Sequence, residues 1–292
     1  ASDVNKLSGL SSEGRSSATT VLTISSLKYL LGTELDDEAK KVLGFSDNRQ
    51  DASLQAGHFN DFIQTVLLRG ALLAAIKGSS NGVIRDDTLT QKVLDHLHLS
   101  PFDYAANPET KGIKAKNTQK TLRDVLGYRV YRDLQRGWRF THPNLEQLKL
   151  LNIRYQSLDE CCTDEDEWSK CHPLLASASP ELRERIVTEL LEVMRKGLSV
   201  KTFYLDPLNQ EQFRNRSYNE LREPWGLTED ERLEAARVMI PRPKPRIMEH
   251  LTVHVSYRSR FGRTLKGQML WGAGNPHYPK KFDEDFYNEL ID

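Results

Sequence analysis

Cysteine is scarce in this chain, with three residues, Cys161, Cys162 and Cys171, in 292. An odd and sparse set cannot frame a disulfide scaffold, and it points to a reducing, cytoplasmic setting. Charge of one sign is also missing: 41 Lys and Arg balance 41 Asp and Glu. No global field therefore draws a polyanion, and any such attraction must come from local patches. Long apolar runs are absent too. The longest, residues 71–76, is far too short to span a membrane. The N-terminal residues have no charged start followed by an apolar core, so no secretory signal is expected. Hydrophobic content of 38% and charged content of 28% fit a soluble globular protein, and the length suggests two domains.

Intact chemical motifs are the next absence. Residues 9–16 (Gly-Leu-Ser-Ser-Glu-Gly-Arg-Ser) miss a phosphate loop by one residue, with Arg15 where lysine belongs. A working loop follows a buried strand and opens a helix, and the polar residues before Gly9 supply no strand. Asp37-Glu38-Ala39-Lys40 imitates an acidic magnesium box, but the apolar segment comes after the acids, so a solvated turn is the better reading. Cys161-Cys162 and Cys171-His172 lack the spacing of a zinc knuckle. His96 with His98, and His250 with His254, read as packing. No metal site and no hydrolytic triad are expected.

What is present begins at residue 41. A short apolar run, 42–45, stops at a polar turn, and a long amphipathic pattern starts at once with Ala52, Phe59, Phe62, Ile63, Val66 and Leu67 near helical spacing. Strand 41–46, turn, helix 51–77 is the unit that α/β nucleotide-driven machines repeat, with functional groups at the strand's carboxyl end. The turn reads Phe45-Ser46-Asp47-Asn48-Arg49-Gln50-Asp51-Ala52. It resembles motif IV of bacterial superfamily 2 helicases of the DEAD/DEAH-box-like kind, where it opens the second RecA-like lobe. Weaker similarities run through residues 128–147, 221–225 and 257–263. They extend the likeness to the insertions of large helicases of defence systems such as the DISARM type.

The resemblance implies an ATP-driven DNA translocase as parent, with ATP and Mg²⁺ bound by parts outside this chain. The chain itself would be a fragment without catalytic competence, and its partners would be DNA and the remaining helicase lobes. Carried over by position, Ser46, Asn48, Arg49 and Gln50 are candidates for backbone contact or cleft lining. Asp47 and Asp51 read better as helix caps or partners of Arg49.

Further helices are expected at 18–31, 87–98, 117–135, 144–151, 180–196, from Pro207 and from Thr228, with short strands at 152–156, 200–205 and 251–257. Residues 1–16 read as poorly ordered. Gly78-Ser79-Ser80-Asn81-Gly82 reads as a linker, dividing residues 1–80 from 81–292. On the helix over 117–135, Arg129, Arg132 and Arg136 share a sector beside the stripe Leu122, Leu126, Val130 and Leu134. Trp138, Arg139, Phe140 and His142 follow, and the short helix and strand after them suit a winged-helix-like arrangement. Such a face serves DNA tracking or is a solvated surface laced with ion pairs.

Residues 242–266 hold seven Lys or Arg against Glu249, with Arg258, Arg260, Arg263 and Lys266 around Phe261 and Gly262. They bind phosphates or pair with the six carboxylates of 159–167. The fold expected is α+β and predominantly α: a partial RecA-like strand–helix unit, then a mostly helical accessory domain. The alternative function is a protein–protein docking or scaffold module with no nucleic-acid role.

Overall fold

The computed structural model describes residues 2–44, 49–135, 143–228, 231–241, 252–272 and 274–292, with side chains except at 2–16, 49–54 and 268. The chain is mostly helical. In order come α1 (Ser2–Leu31), α2 (Arg49–Gly78), α3 (Asp86–Leu97), α4 (Pro101–Tyr104) and α5 (Ile113–Gln135). Three short helices follow: α6 (Leu158–Thr163), α7 (Glu165–Trp168) and α8 (Pro173–Ala176). Then come α9 (Pro180–Lys196), α10 (Pro207–Glu220), α11 (Arg260–Leu265), α12 (Gln268–Trp271) and α13 (Glu284–Ile291). Two three-residue strands, β1 (Val238–Ile240) and β2 (Thr252–His254), pair in parallel with Val238 opposite Thr252.

Contacts divide the chain into two compact units. The first is Ala1–Asp133, Gly137–Leu151 and Phe213–Glu229; the second is Leu134–Arg136, Asn152–Gln212 and Asp230–Asp292. In the first unit α2 packs on α3, burying Leu68, Ala71, Leu72 and Ala75 of α2 and Val93 and Leu94 of α3. Of the expected α5 stripe, Leu122, Leu126 and Val130 are buried and Leu134 is half-buried. Phe213 of α10 meets the Tyr128 ring at 6.2 Å, and Leu221, Trp225 and Leu227 complete that core. Arg69 of α2 grips the Asp133 carboxylate at 2.6 Å, with both side chains nearly buried. The segment 78–82 is a turn between α2 and α3, with Asn81 and Gly82 in the left-handed region.

The second unit is built on Leu174, Ile186, Val255, Phe261, Leu265, Trp271, Tyr287 and Leu290. Helix α9 starts where its sequence says: the Ser179 hydroxyl accepts from the Leu182 amide and Pro180 takes the first helical position. Asp283 caps α13 in the same way through the Phe286 amide.

Several expectations fail for identifiable reasons. Residues 41–44 are irregular rather than a strand, since no strand pairs with them among the described residues, and Val42 and Leu43 are exposed. The N-terminal residues expected to be poorly ordered belong to α1 from Ser2 onward. In α1, Leu22 and Tyr29 are exposed rather than forming a buried face. In α2, Phe59 and Phe62 are half-buried and Val66 is exposed, because α3 meets the stretch centred on Leu68 and Leu72 instead.

The helix expected at 144–151 is a single turn. Asn144 and Gln147 exchange backbone-to-side-chain hydrogen bonds at 2.8 and 2.9 Å, and Lys149, in the left-handed region, ends it. Residues 152–156 find no partner strand, and 200–205 form a 3₁₀ turn at Phe203–Leu205. The wing strand of the winged-helix expectation is therefore missing among the described residues. The helix expected from Thr228 is irregular at 231–237, where tertiary partners claim its backbone. Leu205 O accepts from Ala236 N, Leu198 O accepts from Arg237 N, and Glu234 O accepts from the Gln210 amide.

Of the helices, Gln55–Gly78 is long and apolar enough to cross a membrane by length and composition alone. Only 22% of its apolar window is buried, mainly where Leu68, Ala71, Leu72 and Ala75 lie in the core of the first unit.

Candidate nucleic-acid interface

The two phosphate- and metal-like words resolve first. Residues 9–16 lie inside α1, so their amides are spent on helical hydrogen bonds and cannot cradle a phosphate. Asp37–Ala39 is a 3₁₀ turn, and Lys40 pairs with Asp37 at 3.0 Å on the surface. Neither fits ATP or its magnesium. Among the described residues no three His, Cys, Asp or Glu converge on a metal position. The three cysteines are free thiols, and burial pushes the Cys162 thiol up.

Of the motif IV candidates, Ser46 and Asn48 lie outside the described residues, as does Asp47. The backbone of Arg49, Gln50 and Asp51 opens α2. Sequence reasoning gave no role to His58, yet it is buried at 3% exposure beside the fully buried Thr20 of α1. Its Nδ1 lies 3.1 Å from the Thr20 hydroxyl, which also accepts from the Gln55 amide at 3.0 Å, and its Nε2 lies 3.4 Å from the Ser17 hydroxyl. These groups join α1 to α2.

The arginines of α5 separate. Arg129 donates to the carbonyls of Pro224 and Gly226, both at 3.2 Å, and so ties the loop after α10 to α5. Arg132 is exposed on the helix surface. Arg136, Trp138, Arg139, Phe140 and His142 fall outside the described residues. An ion pair not expected from the sequence joins the half-exposed Arg216 of α10 to the buried Asp124 of α5 at 2.9 Å. Burial pushes the Asp124 carboxyl up against the pull of Arg216.

Arg258 lies just before α11, and Arg260 and Arg263 lie on it, in the second unit. Ser259 caps that helix through the Gly262 amide at 3.1 Å. Gly262 is required there: a Cβ would lie 2.5 Å from the carbonyl oxygens of both Ser256 and Tyr257. All three arginines are exposed. Arg260 reaches Glu189 at 3.5 Å, while Arg258 and Arg263 form no ion pair among the described residues.

Three of the six carboxylates of 159–167 are engaged locally. Glu165 binds Arg183, Glu167 binds Lys170 at 2.6 Å, and Asp164 caps α7. Among the described residues no ion pair joins that stretch to Arg258, Arg260 or Arg263. Residues 242–251, which carry the rest of the basic run, lie outside the described residues.

No protein-family model matches this chain, and no match is found among curated proteins or solved structures.

Proposed function

We propose that the chain is part of an ATP-dependent superfamily 2 DNA helicase. On this reading it supplies the edge of the second RecA-like lobe and an accessory insertion that faces nucleic acid. One observation carries the proposal: an apolar segment at 42–44 that pairs with no strand among the described residues precedes the motif IV word and a 30-residue helix. Exposed Val42 and Leu43, with Val66 and Leu67 exposed on α2, are what a strand–helix unit leaves when its sheet lies in another part of the protein. Unpaired backbone of that kind seeks a neighbouring strand.

Phosphoryl transfer would then be the work of other parts of the protein, and the 292-residue chain alone neither binds nor hydrolyses ATP. Two measurements test this. Titration calorimetry of the chain with Mg-ATP should register no heat of binding. The full-length gene product should carry a phosphate loop before this segment, an arginine motif after it, and a DNA-stimulated ATPase that Arg49→Ala with Gln50→Ala impairs. A full-length product without a phosphate loop, or micromolar ATP binding by the chain itself, would overturn the proposal.

One observation favours a second reading, a docking or scaffold module without a nucleic-acid role. Arg129, a candidate DNA contact, spends its guanidinium on two carbonyls of its own unit.

A further inference from the structure

We propose that the face formed by Tyr257, Arg258, Arg263, Lys266 and Lys280 is a platform for single-stranded nucleic acid, with cations on the phosphates and a base stacked on Tyr257. The proposal rests on the helicase reading only for the class of partner; charge and geometry carry the rest.

Tyr257 is half-buried against the core of the second unit, and its ring is covered by a lysine. Its hydroxyl donates to the Phe282 carbonyl at 3.1 Å, and the Tyr287 ring meets it edge-on at 6.1 Å. The Lys266 ammonium lies over the ring, 3.3 Å from its centroid. The Tyr278 hydroxyl donates to the Lys266 carbonyl at 2.7 Å, which fixes the backbone of that lysine beside the ring. Arg263 precedes Lys266 by one helical turn, Arg258 adjoins Tyr257, and Lys280 stands two residues before Phe282.

Arg258, Arg263 and Lys280 are exposed and unpaired among the described residues. Unpaired cations close together in the chain can neutralise phosphates and release counterions. An ammonium resting on a ring in water is held weakly, so a phosphate can draw Lys266 aside and uncover the ring. Aromatic faces among cations are how single strands are gripped without regard to sequence. A duplex keeps its bases stacked and cannot use Tyr257, and an acidic peptide would use the cations alone.

The test is fluorescence anisotropy of the 292-residue chain with labelled oligothymidylate of about 20 nucleotides, a duplex of equal length and polyglutamate. Oligothymidylate should bind, and its affinity should fall steeply between ~50 and ~200 mM salt. Arg258→Ala with Arg263→Ala should weaken both nucleic acids by about tenfold or more; both side chains are exposed, so this variant keeps its fold. Tyr257→Leu should weaken the single strand by about fivefold or more and leave the duplex unchanged, while Tyr257→Phe keeps the ring and the affinity.

No binding by the unaltered chain, polyglutamate bound as tightly as the oligonucleotide, or unchanged affinity in the double arginine variant overturns the platform. Equal losses on single strand and duplex for Tyr257→Leu overturn the stacking. A DNA-stimulated ATPase in the full-length product without binding at this face would sink the platform and leave the helicase reading. Binding here with no phosphate loop in the flanking sequence would do the reverse.

Discussion

Arg183 and Glu165 form a two-point ion pair in which the guanidinium is buried and the carboxylate stands in water. The bonds are 2.7 and 3.0 Å, with side-chain exposures of 1% and 67%. The same guanidinium donates to the carbonyls of Cys162, Leu175 and Ala176 and lies 5.1 Å from the centre of the Trp168 ring. One side chain thereby ties α6, α7 and α8 to α9.

Arg183→Ala is expected to destabilise the second unit by about 3–5 kcal/mol, because three buried carbonyls lose their donor. Glu165→Gln should cost much less, since its carboxylate is already hydrated and the carbonyl contacts remain. Urea unfolding of both variants checks the ranking. Equal losses would mean that the charge pair, not the carbonyl network, is what matters.

Glu192 gives a dependence on acid. Burial alone would raise its carboxyl, but hydrogen bonds from Arg195, Lys196 and Tyr155 outweigh burial and bring it from 4.5 to about 2. A group depressed in the folded state contributes stability above its unfolded value, and that contribution is lost as pH falls through the folded value. Between about pH 4.5 and pH 2, unfolding should therefore take up close to one proton at this site. Glu192→Gln should flatten the acid limb of the stability curve by that amount. An acid limb identical to that of the unaltered chain would refute the assignment.

Gly262→Ala should destabilise the second unit by about 1–3 kcal/mol or more, since backbone oxygens cannot yield to the new methyl as a flexible side chain could. Thermal melts give the readout. An unchanged melting temperature would mean that the turn before α11 relaxes freely.

Arg129→Ala should lower stability by about 1–3 kcal/mol through its two carbonyl partners, and it should leave affinity for oligonucleotides where it was. Parallel melting and anisotropy measurements separate the two effects. A stable variant with weakened binding would return Arg129 to the nucleic-acid surface.

Much of the helical framework could be read from residue order alone. Ser179-Pro180 announced α9, the Leu122–Leu126–Val130 stripe announced α5, and Asp206-Pro207 announced α10, because caps and periodicity are local signals. Elements defined by distant partners escaped. Val238–Ile240 is three residues long and becomes a strand only against Thr252–His254. The acids after Thr228 suggest a helix start, yet Leu198, Leu205 and Gln210 bind the backbone that follows.

The site divides in the same manner. The cluster Arg258, Arg260 and Arg263 was visible as charge density. The Lys266–Tyr257 stack was not, since nothing in residue order brings a lysine over a ring nine positions earlier. Buried Arg183 was hidden for a related reason: its main partners are carbonyls, which every residue carries.

The interleaving of the two units bears on how the protein is made. Phe213, Leu221, Trp225 and Leu227 complete a core whose other members, from Leu68 to Val130, leave the ribosome far earlier. The first unit thus cannot close when its own N-terminal segment emerges; it must wait until residue 229 has been synthesised, by which time most of α6 to α9 is already waiting for residues 252–292. Chains pass through a long interval in which both cores are open at once, so this protein should depend on holding chaperones during synthesis more than its length alone would suggest.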